Sequence, residues 1–264
     1  MFQYEFMRRA FAVIVIIAVI APCIGMPIVM KRLSAIGDAA SHSALAGVAF
    51  GLVFGVNPIV GAVIFAICAV LGIEAFRKAF GRFSELATVV VMSAGIGLTA
   101  VLSGFITNGS ANLNSFMFGS VVAVSDFELW LTVGLGAAVI VVFALLHKEI
   151  FSISFDEEAA KIAGLPVKTV NFILMVLTAV TVAIASRVVG ALMIASLMVI
   201  PVAAAMMLGK SYRATTILSV VFAEVFSIGG FILSYILDLR PGGTIVLIGV
   251  AALIVIMALF GRKR

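Results

Sequence analysis

Charge is the scarcest property of this chain. Only 11% of its 264 residues are Asp, Glu, Lys or Arg, against about 25% in an average soluble domain. With 64% hydrophobic residues and a mean hydropathy of +1.33, that shortage excludes an ordinary soluble enzyme, a disordered chain and a nucleic-acid-binding domain. The net charge of +5 does not argue for nucleic acid either, because the basic residues sit singly or in short clusters between apolar runs, where membrane topology places them. Cysteine is also scarce. Cys23 and Cys68 both lie inside apolar runs, so they read as small packing residues and not as a disulfide framework. Catalytic signatures are missing as well, with no His-Glu-x-x-His pair and no nucleophile elbow. Gly209-Lys210-Ser211 imitates a phosphate loop, but Ala204 stands where that loop needs its first glycine. No ATP-hydrolysing site and no enzyme activity are expected on this chain. No internal repeat, low-complexity tract or linker interrupts it, so residues 1–264 read as one membrane domain with no soluble part.

What is present is a series of long apolar segments, at about 10–30, 39–56, 58–75, 86–107, 127–146, 169–186, 188–208, 215–237 and 243–260. Each is long enough, or nearly so, to cross a hydrocarbon core of about 30 Å at 1.5 Å per residue. The fold class is therefore all-α, a polytopic membrane bundle of about eight or nine transmembrane helices. Arg8-Arg9 ahead of the first segment imitate a signal peptide, but the apolar run continues to Met30 and reads as a first transmembrane helix. The stretch 169–208 would extend about 60 Å as one helix, twice the core, so a break is expected near Ser186-Arg187. Residues 108–126 hold no Lys or Arg and read as a re-entrant or interfacial segment. With nine spans, an external N-terminus leaves Arg8, Arg9, Arg187 and Arg240 outside and the other 13 of the 17 basic residues inside, as the positive-inside rule requires. Gly47, Gly51 and Gly55 recur every four residues in the second helix. They suit close helix approach, within one subunit or across a dimer seam. Pro201 is expected to kink the helix over 188–208.

Three places can carry function. Asp38 and His42 share one face of the second helix at four-residue spacing, and together offer oxygen and nitrogen ligands to a divalent metal. The alternative is that Asp38 caps the helix and His42 packs in the bundle. Glu224 lies mid-span among apolar residues, where a carboxylate marks a pathway or a pair; it is a further metal ligand or a structural partner of Arg187 or a hydroxyl. His147, beside Lys148 at a span end, reads as interfacial. The charged loop 147–168 encodes a cytoplasmic helix of two or three turns. Ser154 or Asp156 caps it, Glu157 and Glu158 fill its first turn, Lys161 follows, Gly164 supplies a left-handed stop and Pro166 prevents continuation. Ala159, Ile162 and Ala163 are left as a contact surface for a soluble partner, or as a solvated connector.

An ordered set of segments resembles the permease subunits of bacterial metal-type ABC importers of zinc, manganese or iron. It comprises YEFMRRAF, GDAASHSALAGVAFG, FGSVVAVS, SFDEEAAKIAGLPV, VVGALMIASLMVIPVAAAMML and LSYILDLRPGGTIVL. The YEFM opening and the SFDEEAAKIAGLPV form look most like zinc-uptake permeases. The resemblance implies a plasma-membrane homodimer around a central pathway, two ABC ATPase subunits that bind and use the ATP beneath it, and an extracytoplasmic metal-binding protein that delivers Zn2+. It implies that residues 155–164, including Phe155, Asp156, Glu157, Glu158, Ala159, Ile162 and Gly164, form a coupling helix to the ATPase, and that Asp38 and His42 belong to the family's D-x-x-x-H metal-pathway pattern. Glu224 has no such motif behind it. The rivals are an ion-coupled secondary transporter using Asp38, His42 and Glu224 as a relay, and a membrane scaffold.

Overall fold

The computed structural model describes residues 4–83, 85–106, 110–120 and 124–260. Among them there is helix and no strand. The helices are α1 (Glu5–Met30), α2 (Ala35–Phe54), α3 (Pro58–Phe80), α4 (Glu85–Ser103), α5 (Ser110–Phe118), α6 (Asp126–Leu145), α7 (His147–Phe155), α8 (Glu157–Ile162), α9 (Val167–Ala185), α10 (Ile194–Leu208), α11 (Tyr212–Ile236) and α12 (Pro241–Phe260). The protein is a multi-pass helical membrane bundle. With no water in the hydrocarbon core, a helix satisfies its backbone groups internally, and here apolar side chains clothe it.

Among the described residues, eight helical stretches are long and apolar enough to cross a membrane, and one of them, Val167–Leu208, has 42 residues. Straight, it would extend about 63 Å. It turns back instead. After Ala185 the backbone passes through a wide turn over Ser186–Gly190 and a tight one over Ala191–Met193, with Gly190 at φ +95°. Beyond the turn, Val189 lies against Gly242 at the start of α12, Gly25 of α1 lies against Met198, and Gly209 lies against Thr215 at the start of α11. So α10 runs from the end where α12 begins to the end where α11 begins, opposite to α9. Among the described residues, the long apolar stretch is thus two oppositely directed helices, with the break where length required it.

Charged side chains gather at the two ends of the bundle. Arg9, Asp126, Arg187 and Arg240 gather at one end. Lys31, α7, α8 and the first turns of α9 gather at the other, which the positive-inside bias makes the inner end. Arg262, Lys263 and Arg264 lie outside the described residues, as do 121–123 within FGSVVAVS.

Helices α1 and α2 and the α9–α10 stretch are the most enclosed, and α4, α6 and α12 form the outer ring. Exposed Val101, Val141, Leu247 and Ile254 on that ring suit lipid contact, since hydrocarbon accepts what water rejects. The glycine stripe packs inside one chain: a Cβ at Gly47 would strike the Gly61 carbonyl of α3, and one at Gly51 would meet Pro58. Gly55 ends α2 in the left-handed conformation, φ +71°. Asn57 then starts α3, its side-chain oxygen accepting from the Ile59 N–H at 3.0 Å, with Pro58 at the first helical position.

Candidate metal pathway and coupling face

At the outer end, the segment expected to be re-entrant is the short helix α5, tucked against the Ser186–Gly190 turn and α2, with Leu113 and Phe116 buried. The Arg187 guanidinium lies 4.5 Å from the Phe116 ring centroid and Arg240 the same distance from that of Phe118, two cation–π contacts that hold α5. Arg187 Nε also pairs with Glu128 Oε1 at 3.1 Å, the two side chains being 15% and 14% exposed. Glu128 uses its other oxygen to accept from the Ser125 N–H at 2.9 Å, while Ser125 Oγ accepts from the Glu128 N–H at 3.3 Å, a capping box. The suggested Glu224–Arg187 pair is therefore corrected, because Arg187 is engaged with Glu128 at the outer end. Sequence reading passed over Glu128. Its only advance signal was the Ser-x-x-Glu pattern at residues 125–128.

Asp38 and His42 do share one face of α2, one turn apart. Asp38 is exposed and His42 half-buried, although Ala39, Ala40 and Ser41 around them are buried. The capping alternative fails. Ser34 holds the cap position without a side-chain bond, and Asp38 lies a full turn further in. Within α2, then, a carboxylate and an imidazole open outward from a helix whose other faces are packed.

Glu224 is half-buried on α11. The helices packed on α11 are α1, α10 and α12, whereas α2 packs on α3, α4, α9 and α10, so α10 is the shared neighbour of the two candidate positions. Among the described residues, no three His, Cys, Asp or Glu side chains are grouped to hold an ion. One chain does not bring Asp38, His42 and Glu224 together as a three-ligand cluster. His147 sits as an interfacial residue should, its ring 5.7 Å from Phe143 and 5.5 Å from Tyr212.

At the inner end, the loop 147–168 forms two helices. Asp156 takes the cap that Ser154 does not: its Oδ1 accepts from the Ala159 N–H at 2.9 Å. Glu157 and Glu158 follow in the positive first turn. Gly164 stops the helix at φ +83°, and the Leu165 N–H reaches back to the Ala160 carbonyl at 3.1 Å, a Schellman closure. Because that closure acts so early, α8 has six residues, short of the two to three turns expected. Ala160 faces inward, while Phe155 and Ile162 are 77% and 88% exposed. Ala159 and Ala163 are exposed with them. The remaining decoy also has a local role, as Ser211 Oγ accepts from the Ala214 N–H at 3.3 Å and caps α11.

A bundle of lipid-clad helices, with a carboxylate and an imidazole open on α2 and a capped apolar knob at one end, is what a membrane transport subunit presents. Known proteins agree. The ABC 3 transport family model matches residues 3–260, and the chain belongs to that family. It is a permease of a metal ABC importer. A probable metal transport system membrane protein of Treponema pallidum (strain Nichols) is 33% identical over 268 residues, covering 100% of each chain. The manganese transport system membrane protein MntC of Listeria monocytogenes is 33% identical over 263 residues, 99% of this chain and 93% of that one. The solved structure of PsaBC from Streptococcus pneumoniae in complex with Fab superposes with a TM-score of 0.87 at 28% identity, covering 97% of this chain and 92% of that one.

Proposed function

We propose that two copies of this chain enclose a pathway for a divalent metal above two cytoplasmic ABC ATPase subunits, and that an extracytoplasmic metal-binding protein loads it. The observation that carries this reading is the Asp38–His42 face. In a membrane span, a carboxylate and an imidazole left open by their own chain need a partner, and a pathway between two copies supplies one. Few ligands bind weakly enough to release the ion inward. Glu224 is a further ligand position on α11, which α10 separates from α2. Residues 155–164 dock in the ATPase, with Phe155 and Ile162 as the inserted apolar pair and Asp156 and Gly164 fixing the helix ends. ATP-driven closure moves the coupling helices and switches the pathway, and hydrolysis resets it.

The transported ion in this reading is Zn2+, on the likeness of YEFM and SFDEEAAKIAGLPV to zinc-uptake permeases. Manganese is the second reading, favoured by the printed name of the Listeria relative; an O/N ligand pair serves either ion. The test is radiolabelled zinc uptake in a strain carrying the chain and its ATPase, with manganese as competitor and a hydrolysis-deficient ATPase as comparison. Hydrolysis-dependent uptake that resists excess manganese supports the zinc importer, and strong manganese competition changes the metal. Uptake indifferent to the ATPase refutes the reading in favour of an ion-coupled secondary transporter. In the same assay, Asp38→Ala with His42→Ala lowers uptake while ATPase assembly persists; normal uptake refutes the ligand assignment.

A further inference from the structure

We propose that Lys31 is a positioning residue for transport, the side chain through which displacement of α8 reaches α1. The proposal rests on the reading of residues 155–164 as the ATPase-docking element. Lys31 lies at the junction between α1 and α2, where three backbone bonds fix the chain. The Lys31 N–H donates to Pro27 O at 3.0 Å, Arg32 N–H to Val29 O at 3.0 Å and Leu33 N–H to Ile28 O at 2.9 Å. Arg32 adopts φ +57°, so the junction is sharply set. From this anchor the Lys31 side chain, 11% exposed, makes two contacts beyond its own helix. Its Nζ pairs with Glu157 Oε2 of α8 at 3.0 Å and donates to Asn171 Oδ1 of α9 at 2.6 Å. One ammonium thus joins three helices, which its three rotatable donors allow.

The surroundings make that bridge consequential. Helix α8 packs on α7 and α9 and reaches α1 through Glu157. Beside the bridge a cavity of about 470 Å3 opens between α1, α3, α8 and α9, lined among others by Lys31, Glu74, Arg77, Ser154, Glu157 and Asn171. Across it, Arg77 faces Glu74 at 3.6 Å. Packing links α8 to α1 indirectly, through α7 and α9, which both pack on α1; the Lys31–Glu157 pair is the direct side-chain link between α8 and the end of α1. Helix α1 then packs on α6, α9, α10 and α11, and its far end is tied by Arg9 to Asp126 at 2.9 Å. Helix α1, with Pro22 and Pro27 inside it, is thus held by side-chain pairs at both ends, and a packed helix so held can carry a movement from one membrane face to the other. Within the docking element, Glu157, 52% exposed, is the residue that pairs back to Lys31 and acts as an internal lever. Glu158, Phe155 and Ile162 are left to make the contact with the ATPase.

The test uses the full permease–ATPase complex in proteoliposomes, supplied with its metal-binding protein and radiolabelled Zn2+, and reads ions imported per ATP hydrolysed. Lys31→Met is expected to lower this ratio about fivefold, the small end of typical coupling effects, while ATP hydrolysis itself persists. Glu157→Gln, at a half-exposed position, should do the same, and it keeps the test open if Lys31→Met assembles poorly. The exchange Lys31→Glu with Glu157→Lys should restore the ratio, because the Asn171 amide can donate to a carboxylate as well as accept from an ammonium. A ratio unchanged in both single variants, or unrestored in the exchange, overturns the proposal. A wild-type complex that imports without consuming ATP overturns the functional reading instead.

Discussion

The two ends of the bundle are built on different principles. At the outer end, backbones touch: a Cβ at Gly190 would strike the Gly119 N–H and the Phe118 carbonyl carbon, and one at Gly242 would strike the Val189 carbonyl. Two arginines lie over aromatic rings, and a mostly buried ion pair joins α6 to the α9–α10 turn. At the inner end, a six-residue helix projects with two large apolar side chains in the open. It stands beside a cavity and is linked to α1 through one lysine. The outer end resists deformation, whereas the inner end can move and can be grasped. The function proposed above, a pump driven from the cytoplasm by a partner, needs that asymmetry. The driven part must yield, and the far seal must change only when a whole helix moves.

Substitutions can break this contrast, in descending order of their effect on stability. Gly190→Val should be the most damaging. Its φ of +95° alone costs a side-chain-bearing residue about 1–3 kcal/mol, and the clash with the α5 backbone adds to it. The expected result is loss of monodisperse protein on size-exclusion chromatography in detergent, and a normal yield would show that the outer end is looser than described. Arg187→Met should cost about 3–5 kcal/mol by stranding Glu128 as an unpaired buried charge. Thermal unfolding would show this as a lowered midpoint, largely recovered when Glu128→Gln is added, since the amide oxygen can still serve the cap. A double variant no better than the single would deny the pairing. At the inner end, Ile162→Ser should leave the midpoint within about 0.5 kcal/mol of wild type, as exposed positions do, yet reduce co-purification of the ATPase. Full co-purification would remove Ile162 from the docking surface.

Much of this was legible in the sequence, for reasons that can be stated residue by residue. The passes were legible because the membrane selects on a property that single residues carry, and runs such as 243–260 have it throughout. The break in 169–208 followed from length alone. The cap at Asp156 and the stop at Gly164 were legible because each depends on a residue meeting backbone groups within a few positions. The length of α8 was misread because the Schellman closure acts earlier than the charge pattern suggested. Arg187 was offered the wrong partner. Glu128 stands at the start of another helix, and its local Ser-x-x-Glu pattern signals a helix cap and not a partner for Arg187.

The sequence by itself determined the solvent this protein lives in, the positions of its apolar segments, the break in 169–208, the cap at Asp156 and the face shared by Asp38 and His42. These follow from hydropathy, length and one-turn geometry, all of which act over a few residues. Only the tertiary structure decided that Arg187 meets Glu128, that α10 stands between Glu224 and α2, and that Lys31 reaches Asn171 across 140 positions. Such pairings belong to the packing of whole helices. In a chain where every helix is apolar, hydropathy treats the possible neighbours almost alike, and small-residue fit and the few buried charges choose among them.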